Sequence, residues 1–157
     1  SAMARAVRHA TTPIATGERL IAAYGCAELI DLGIIDILQP DIAHVGGVTA
    51  LWKVSAAADA SGIRMAPHAC EGPIGGIASL HVDAAGPNFL AQEQVDPGLG
   101  YGLLEEDFKV VNGHIELPTA PGLGFTINEA EAQQNVPYKE ELGGEYYHPA
   151  DNSIVDW

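Results

Sequence analysis

The chain has 157 residues, 47% of them apolar, 18% charged and 6% aromatic, enough to bury the core of one domain or part of one. Seven basic against 21 acidic residues give a formal charge of −14, which excludes nucleic acid as a partner and disfavours a free anionic substrate unless a cation reverses the local sign. No apolar stretch approaches the roughly 18 residues of a membrane span, and no basic region followed by an apolar core opens the chain, so a soluble, unexported protein is expected.

Ser1-Ala2 ahead of Met3 reads as a cloning remnant, or residues 3–7 read as the tail of a helix that begins upstream. The Ala- and Arg-rich stretch 3–10 suits a helix, which Thr11-Thr12-Pro13 ends because the position before proline disfavours helical backbone. A first strand follows at about 14–18. Leu29 and Ile30 among alanines predict a short helix over 24–32, closed by Gly33. The continuous apolar run at 35–39 is that of a parallel strand covered on both faces. Val48, Leu51, Trp52 and Ser55 place a helix over 48–60, stopped at Ser61-Gly62, before a third strand at 63–66. Ile74, Ile77, Ala78, His81, Val82 and Ala85 mark another helical face that ends at Gly86-Pro87, with His81 as a hydrogen-bonded packing residue. A fourth strand is expected at 89–92. Strands alternating with helices in this rhythm form right-handed βαβ units and a parallel sheet.

Beyond Glu93 the rhythm breaks. Asp96-Pro97-Gly98-Leu99-Gly100 is loop chemistry, and Asn112-Gly113 between two short apolar runs predicts a hairpin over 108–117. Thr126 with Glu129 forms a capping-box pattern that opens a helix over 127–135, stopped before Pro137. The remaining tail is rich in Gly, Glu and Tyr, shows no period and is expected to wrap a surface.

The four strand-like runs share one property: Glu18, Asp41, His68 and Glu93 stand at their carboxyl ends. A (β/α) barrel gathers its chemistry at one mouth in this way, but a whole barrel takes about 250 residues, so this chain looks like half of one. Asp41 and His68 lie one βα unit apart, which puts them on adjacent tips. A carboxylate beside an imidazole fixes its tautomer and prepares it to accept or deliver a proton. Of the flanking pair Glu18 and Glu93, one suits a divalent cation and the other a hydrogen bond to a developing enolate. Plainer roles stand beside these: Asp41 precedes a Gly-Gly helix start and is a candidate helix cap, and His68 after Pro67 is a candidate turn residue. Cys26 and Cys70 are too few for a disulfide framework or a zinc site, which leaves two free thiols in a reducing cytoplasm. With no neighbouring base dedicated to it, Cys70 reads as a small buried packing residue rather than a nucleophile.

Taken in order, Pro13-Ile14-Ala15-Thr16-Gly17-Glu18-Arg19-Leu20, Asp36-Ile37-Leu38-Gln39-Pro40-Asp41 with Gly46-Gly47, Ala66-Pro67-His68, Gln92-Glu93 and Pro121-Gly122-Leu123-Gly124 carry a family resemblance. They resemble the C-terminal half of the mandelate racemase/muconate lactonizing branch of the enolase superfamily, and most of all its galactonate dehydratase-like members. The resemblance implies an α/β fold, the C-terminal half of a (β/α)7β TIM-like barrel with four parallel strands, followed by a C-terminal hairpin and tail. It makes residues 1–157 one partial barrel domain, with βα units over about 13–93 and the hairpin, helix and tail over about 94–157, and without the N-terminal capping domain and first barrel half.

The implied activity is that of a Mg2+-dependent acid-sugar (aldonate) dehydratase of carbohydrate acid catabolism. Glu18 matches a metal ligand, Asp41 and His68 the catalytic dyad, and Glu93 the acid that hydrogen-bonds the enolate. His68 would act as base for one C2 configuration and as acid on the leaving hydroxyl for the other. Racemisation, epimerisation or cycloisomerisation is the alternative within the superfamily, and a non-catalytic fragment that self-associates is the alternative outside it. A half barrel alone should bind Mg2+ weakly, turn over little, and pair with another copy or with a complementary barrel half.

Overall fold

The computed structural model describes residues 2–7, 9–70, 72–94, 98–99, 102–106, 108–134 and 150. After a short helix α1 (Ala2–Val7), three strands alternate with helices: β1 (Ala15–Thr16), α2 (Ala22–Leu32), β2 (Ile37–Leu38), α3 (Ile42–Val45), α4 (Val48–Ala60), β3 (Arg64–Met65) and α5 (Pro73–Ala85). The strands pair in parallel in the order β1-β2-β3, with Thr16 opposite Leu38 and Leu38 opposite Met65. Each ladder is two residues long, yet the chains stay alongside beyond it. The Ala66 amide donates to Leu38 and the His68 amide to Pro40, and Asp41 and His68 form a further parallel bridge.

The run at 89–92 is not a fourth regular strand. It lies along β3 through one bridge, Met65 to Phe89, with the Met65 amide donating to Asn88 and the Leu90 amide to Met65. Among the described residues no strand pairs with its other side, so a one-sided partner must hold it. Asn88 supplies much of that hold. Its Nδ2 donates to the carbonyls of Ile63 at 2.8 Å and Ser55 at 3.2 Å, while its Oδ1 accepts from the Ser55 hydroxyl at 2.9 Å.

The core sits between the sheet and the helices. Cys26 and Ile30 of α2, Leu51, Val54 and Ala58 of α4, and Ala78 and Val82 of α5 close over Leu38 and Met65. Periods of three and four place each set on one helical face. On α4 the buried face is turned from the expected one: Leu51 and Ser55 are inside, but Val48 and Trp52 are exposed, because Val54 and Ala58 occupy the packed stripe. Gly33 ends α2 in the left-handed conformation, and Pro73 opens α5 in its first turn, where a missing amide hydrogen costs nothing. His81 of α5 bonds the Leu123 carbonyl through Nε2 at 3.1 Å, a satisfied packing histidine. Asp83, in the last turn of α5, is 8% exposed, and its Oδ2 finds no partner among the described residues. Burial pushes its carboxyl up to about 7.

A second, antiparallel sheet joins β4 (Gly98–Leu99), β5 (Phe108–Val111) and β6 (His114–Ile115). Asn112 and Gly113, both at positive φ, make the expected hairpin turn. Gly98-Leu99, expected as loop, pairs with Lys109 and Phe108, so backbone pairing overrides local turn chemistry there. Helix α6 (Glu129–Gln134) is capped by Asn128, whose Oδ1 accepts from the Glu131 amide, not by Thr126. The Thr126 amide and hydroxyl are instead taken by the Glu106 carboxylate, which these bonds hold below the usual carboxylate range. The expected stop before Pro137 and nearly all of the tail lie outside the described residues. No helix among the described residues is long and apolar enough to cross a membrane.

Candidate active site

The parallel sheet lines up its carboxyl ends, and three of the four candidate side chains meet there. Asp41 and His68 follow β2 and β3 by three residues each, so their side chains leave the same edge of the sheet. His68 Nδ1 lies 3.0 Å from Asp41 Oδ2, with the carboxylate buried and the imidazole mostly so. With a carboxylate oxygen accepting, Nδ1 is the donor of this bond, and Nε2 is left facing the mouth. On the far side, Glu93 Oε2 stands 3.8 Å from Nε2, too far for a hydrogen bond.

Asp41 also performs its plainer role. Its Oδ1 accepts from the Ala43 amide at 2.7 Å and the His44 amide at 3.3 Å, capping α3, while Oδ2 serves His68. Helix cap and imidazole partner are therefore one carboxylate used on both oxygens. Glu93 is held by the Ala69 amide, which donates to Oε2 at 3.2 Å. Gln92 fixes the same tip: its Nε2 donates to the carbonyls of Pro67 and Glu93, both at 3.0 Å.

Glu18 stands at the neighbouring tip, two residues past β1, and is exposed. Among the described residues no hydrogen bond or ion pair links its carboxylate to Asp41, His68 or Glu93; its backbone carbonyl is tied to α3, 2.7 Å from His44 Nδ1. Among the described residues no group of three or more His, Cys, Asp or Glu side chains is arranged to hold a metal ion. One exposed carboxylate does not fit the near-octahedral oxygen shell of Mg2+.

Neither cysteine forms a disulfide among the described residues. Cys26 is buried, and burial pushes its thiol up to about 11. Cys70 departs from the expected packing role: it is exposed, with Sγ 3.9 Å from His68 Nδ1. His44 and Asn88 were not singled out in the sequence, and Gln92 only as the neighbour of Glu93 in the family motif. Each acts across 25 or more residues, so no local period marks it.

Residues 1–131 match the family model described as enolase C-terminal domain-like. The chain belongs to that family. Like other enolase C-terminal domain-like chains it is an α/β barrel portion of parallel strands and helices, on the mandelate racemase/muconate lactonizing branch. It is 35% identical over 162 residues to the D-galactonate dehydratase of Ralstonia pickettii (strain 12J), a match that covers 98% of this chain and 42% of that protein. Among solved structures it is similar to the mandelate racemase/muconate lactonizing enzyme-like protein from Roseovarius sp. TM1035, with a TM-score of 0.80, 37% identity, and coverage of 85% of this chain and 34% of that one. The mandelate racemase/muconate lactonizing enzyme from Jannaschia sp. CCS1 superposes with a TM-score of 0.78 at 33% identity, covering 84% of this chain and 34% of that one. The enolase-like chain thus spans less than half the length of these relatives.

Proposed function

We propose that this chain carries the C-terminal half of the active site of an acid-sugar dehydratase of the aldonate type. The reaction removes the proton α to the substrate carboxylate, passes through an enediolate, and expels the 3-hydroxyl with a proton as water to leave a 2-keto-3-deoxy acid. His68 moves the proton at Nε2, as base for one C2 configuration and as acid on the departing hydroxyl for the other. Asp41 holds the imidazole in the tautomer that leaves Nε2 open. Glu93 hydrogen-bonds the enediolate oxygen. Glu18 is the one Mg2+ ligand this chain would contribute to a complete enzyme.

The carrying observation is the Asp41 Oδ2 to His68 Nδ1 pair at 3.0 Å, with Nε2 turned toward Glu93. The 35% identity to a D-galactonate dehydratase supports dehydration. The structural relatives named for racemase and lactonizing enzymes support the alternative, racemisation, epimerisation or cycloisomerisation on the same residues. On this reading residues 1–157 form one partial barrel domain that works in the cytoplasm with a complementary barrel half or another copy of itself.

The test supplies a panel of aldonates to the chain alone and to a complete enzyme containing it, and follows 2-keto-3-deoxy acid. Dehydration in the complete enzyme, lost in His68→Ala, is expected. A product of unchanged mass selects the alternative, and full activity without His68 removes its assigned role.

A further inference from the structure

Glu18 sits in a tight turn. The Leu20 amide donates to the Gly17 carbonyl at 3.1 Å, so the central peptide of this β-turn is the one between Glu18 and Arg19. The carbonyl of that peptide is the group His44 Nδ1 meets at 2.7 Å. A carbonyl only accepts, so Nδ1 is the donor. His44 lies on α3, and α3 is pinned on two sides: Ile42 and Val45 are buried, and the Asp41 carboxylate caps its first amides. The other oxygen of the same carboxylate holds His68. A continuous path therefore runs from the imidazole through Asp41 and one helical turn to the peptide that carries Glu18.

Gly17 sets the other boundary of the turn. At φ +139° it presses against β2, and a Cβ placed there would stand 3.0 Å from Leu38 Cδ1 and 3.1 Å from the Gln39 amide nitrogen. The turn is thus fitted to β2 at its first residue and tied to α3 at its second.

We propose that His44 is a positioning residue for Glu18: its Nδ1–H anchors the Glu18–Arg19 peptide to the helix that Asp41 caps, fixing where the Glu18 carboxylate stands relative to the Asp41–His68 pair. Its importance for turnover rests on the dehydratase reading; the anchor itself does not. An asparagine at position 44 can place an amide N–H near the Nδ1 position, whereas alanine and glutamine cannot, which separates the hydrogen bond from mere side-chain bulk.

The experiment has two arms. In the chain with Glu18 and Arg19 isotopically labelled, the Glu18 carbonyl and Arg19 amide resonances are expected to shift and broaden in His44→Ala and His44→Gln and to return in His44→Asn. In a complete enzyme containing the chain, kcat is expected to fall roughly ten- to a hundredfold in His44→Ala, as for a small misplacement within an active site, and to recover in His44→Asn. Unchanged Glu18 and Arg19 resonances in His44→Ala overturn the anchor. Restored resonances with turnover still low in His44→Asn overturn the positioning role. A wild-type complete enzyme that dehydrates no aldonate removes the functional reading instead, and the resonances still decide the anchor.

Discussion

Replacing Asp83 by Asn should stabilise the chain, and should do so only above mildly acid pH. Asp83 is 8% exposed on α5, with Oδ2 unpartnered among the described residues, and burial pushes its carboxyl from 3.8 to about 7. The folded chain therefore keeps this proton up to about pH 7, while the unfolded chain releases it near pH 4. Between those limits the folded state binds more protons, so the contribution of Asp83 to stability is full below about pH 4 and is lost as pH rises toward and past 7. A shift of about three units corresponds to a ceiling of about 4 kcal/mol. Water reaching the carboxylate through local relaxation brings the expected loss to about 2 kcal/mol. The assay is urea unfolding of wild type and Asp83→Asn across this pH range. The six histidines and the other carboxylates titrate in both proteins, so they cancel in the difference. The variant should match wild type near pH 4 and exceed it by about 2 kcal/mol near pH 8. Parallel curves, or a wild-type advantage that grows with pH, would refute the buried-proton argument.

The two oxygens of Asp41 are separable by substitution. Asn keeps an oxygen for the α3 cap but offers an amide to His68 Nδ1, so Asp41→Asn should cost under about 1 kcal/mol in urea unfolding while cutting turnover in a complete enzyme by about 10²–10⁴. Asp41→Ala removes both functions and should lose a further 1–2 kcal/mol or so with the cap. At the other end of β3, Asn88→Ala strips the partners of the Ile63 and Ser55 carbonyls and the Ser55 hydroxyl, and thermal or urea unfolding should register a loss of about 2–3 kcal/mol.

Much of the barrel rhythm was legible because it is local: an apolar run, a titratable residue at its end, a glycine-closed helix. The parallel order of β1 to β3 and the meeting of Asp41, His68 and Glu93 follow from that repetition. Long-range pairing was not legible. Residues 89–92 look like the other strands but have a described partner on one side only. Thr126 has the spacing of a capping box, yet Glu106, 20 residues earlier, takes both of its donors. Trp52 and Val48 fit a helical stripe, but which stripe of α4 is covered depends on α2 and α5. His44 and Asn88 are single polar residues in segments without a period, and their partners lie 26 and 25–33 residues away. The choice between cap and imidazole partner at Asp41 was a false one, since a carboxylate has an oxygen for each.

The two-residue ladders make the molecule intolerant of insertions and deletions at particular places. Thr16, Leu38 and Met65 stand opposite one another, and Glu18, Asp41 and His68 follow them by two or three positions. Adding or removing one residue in that interval would swing the next side chain to the opposite face of the sheet. With so short a ladder, the neighbouring pairs could do little to restore it. Length variation should therefore collect in the segments that follow the tips and after α2, α4 and α5, and be nearly absent from the few residues between ladder and tip.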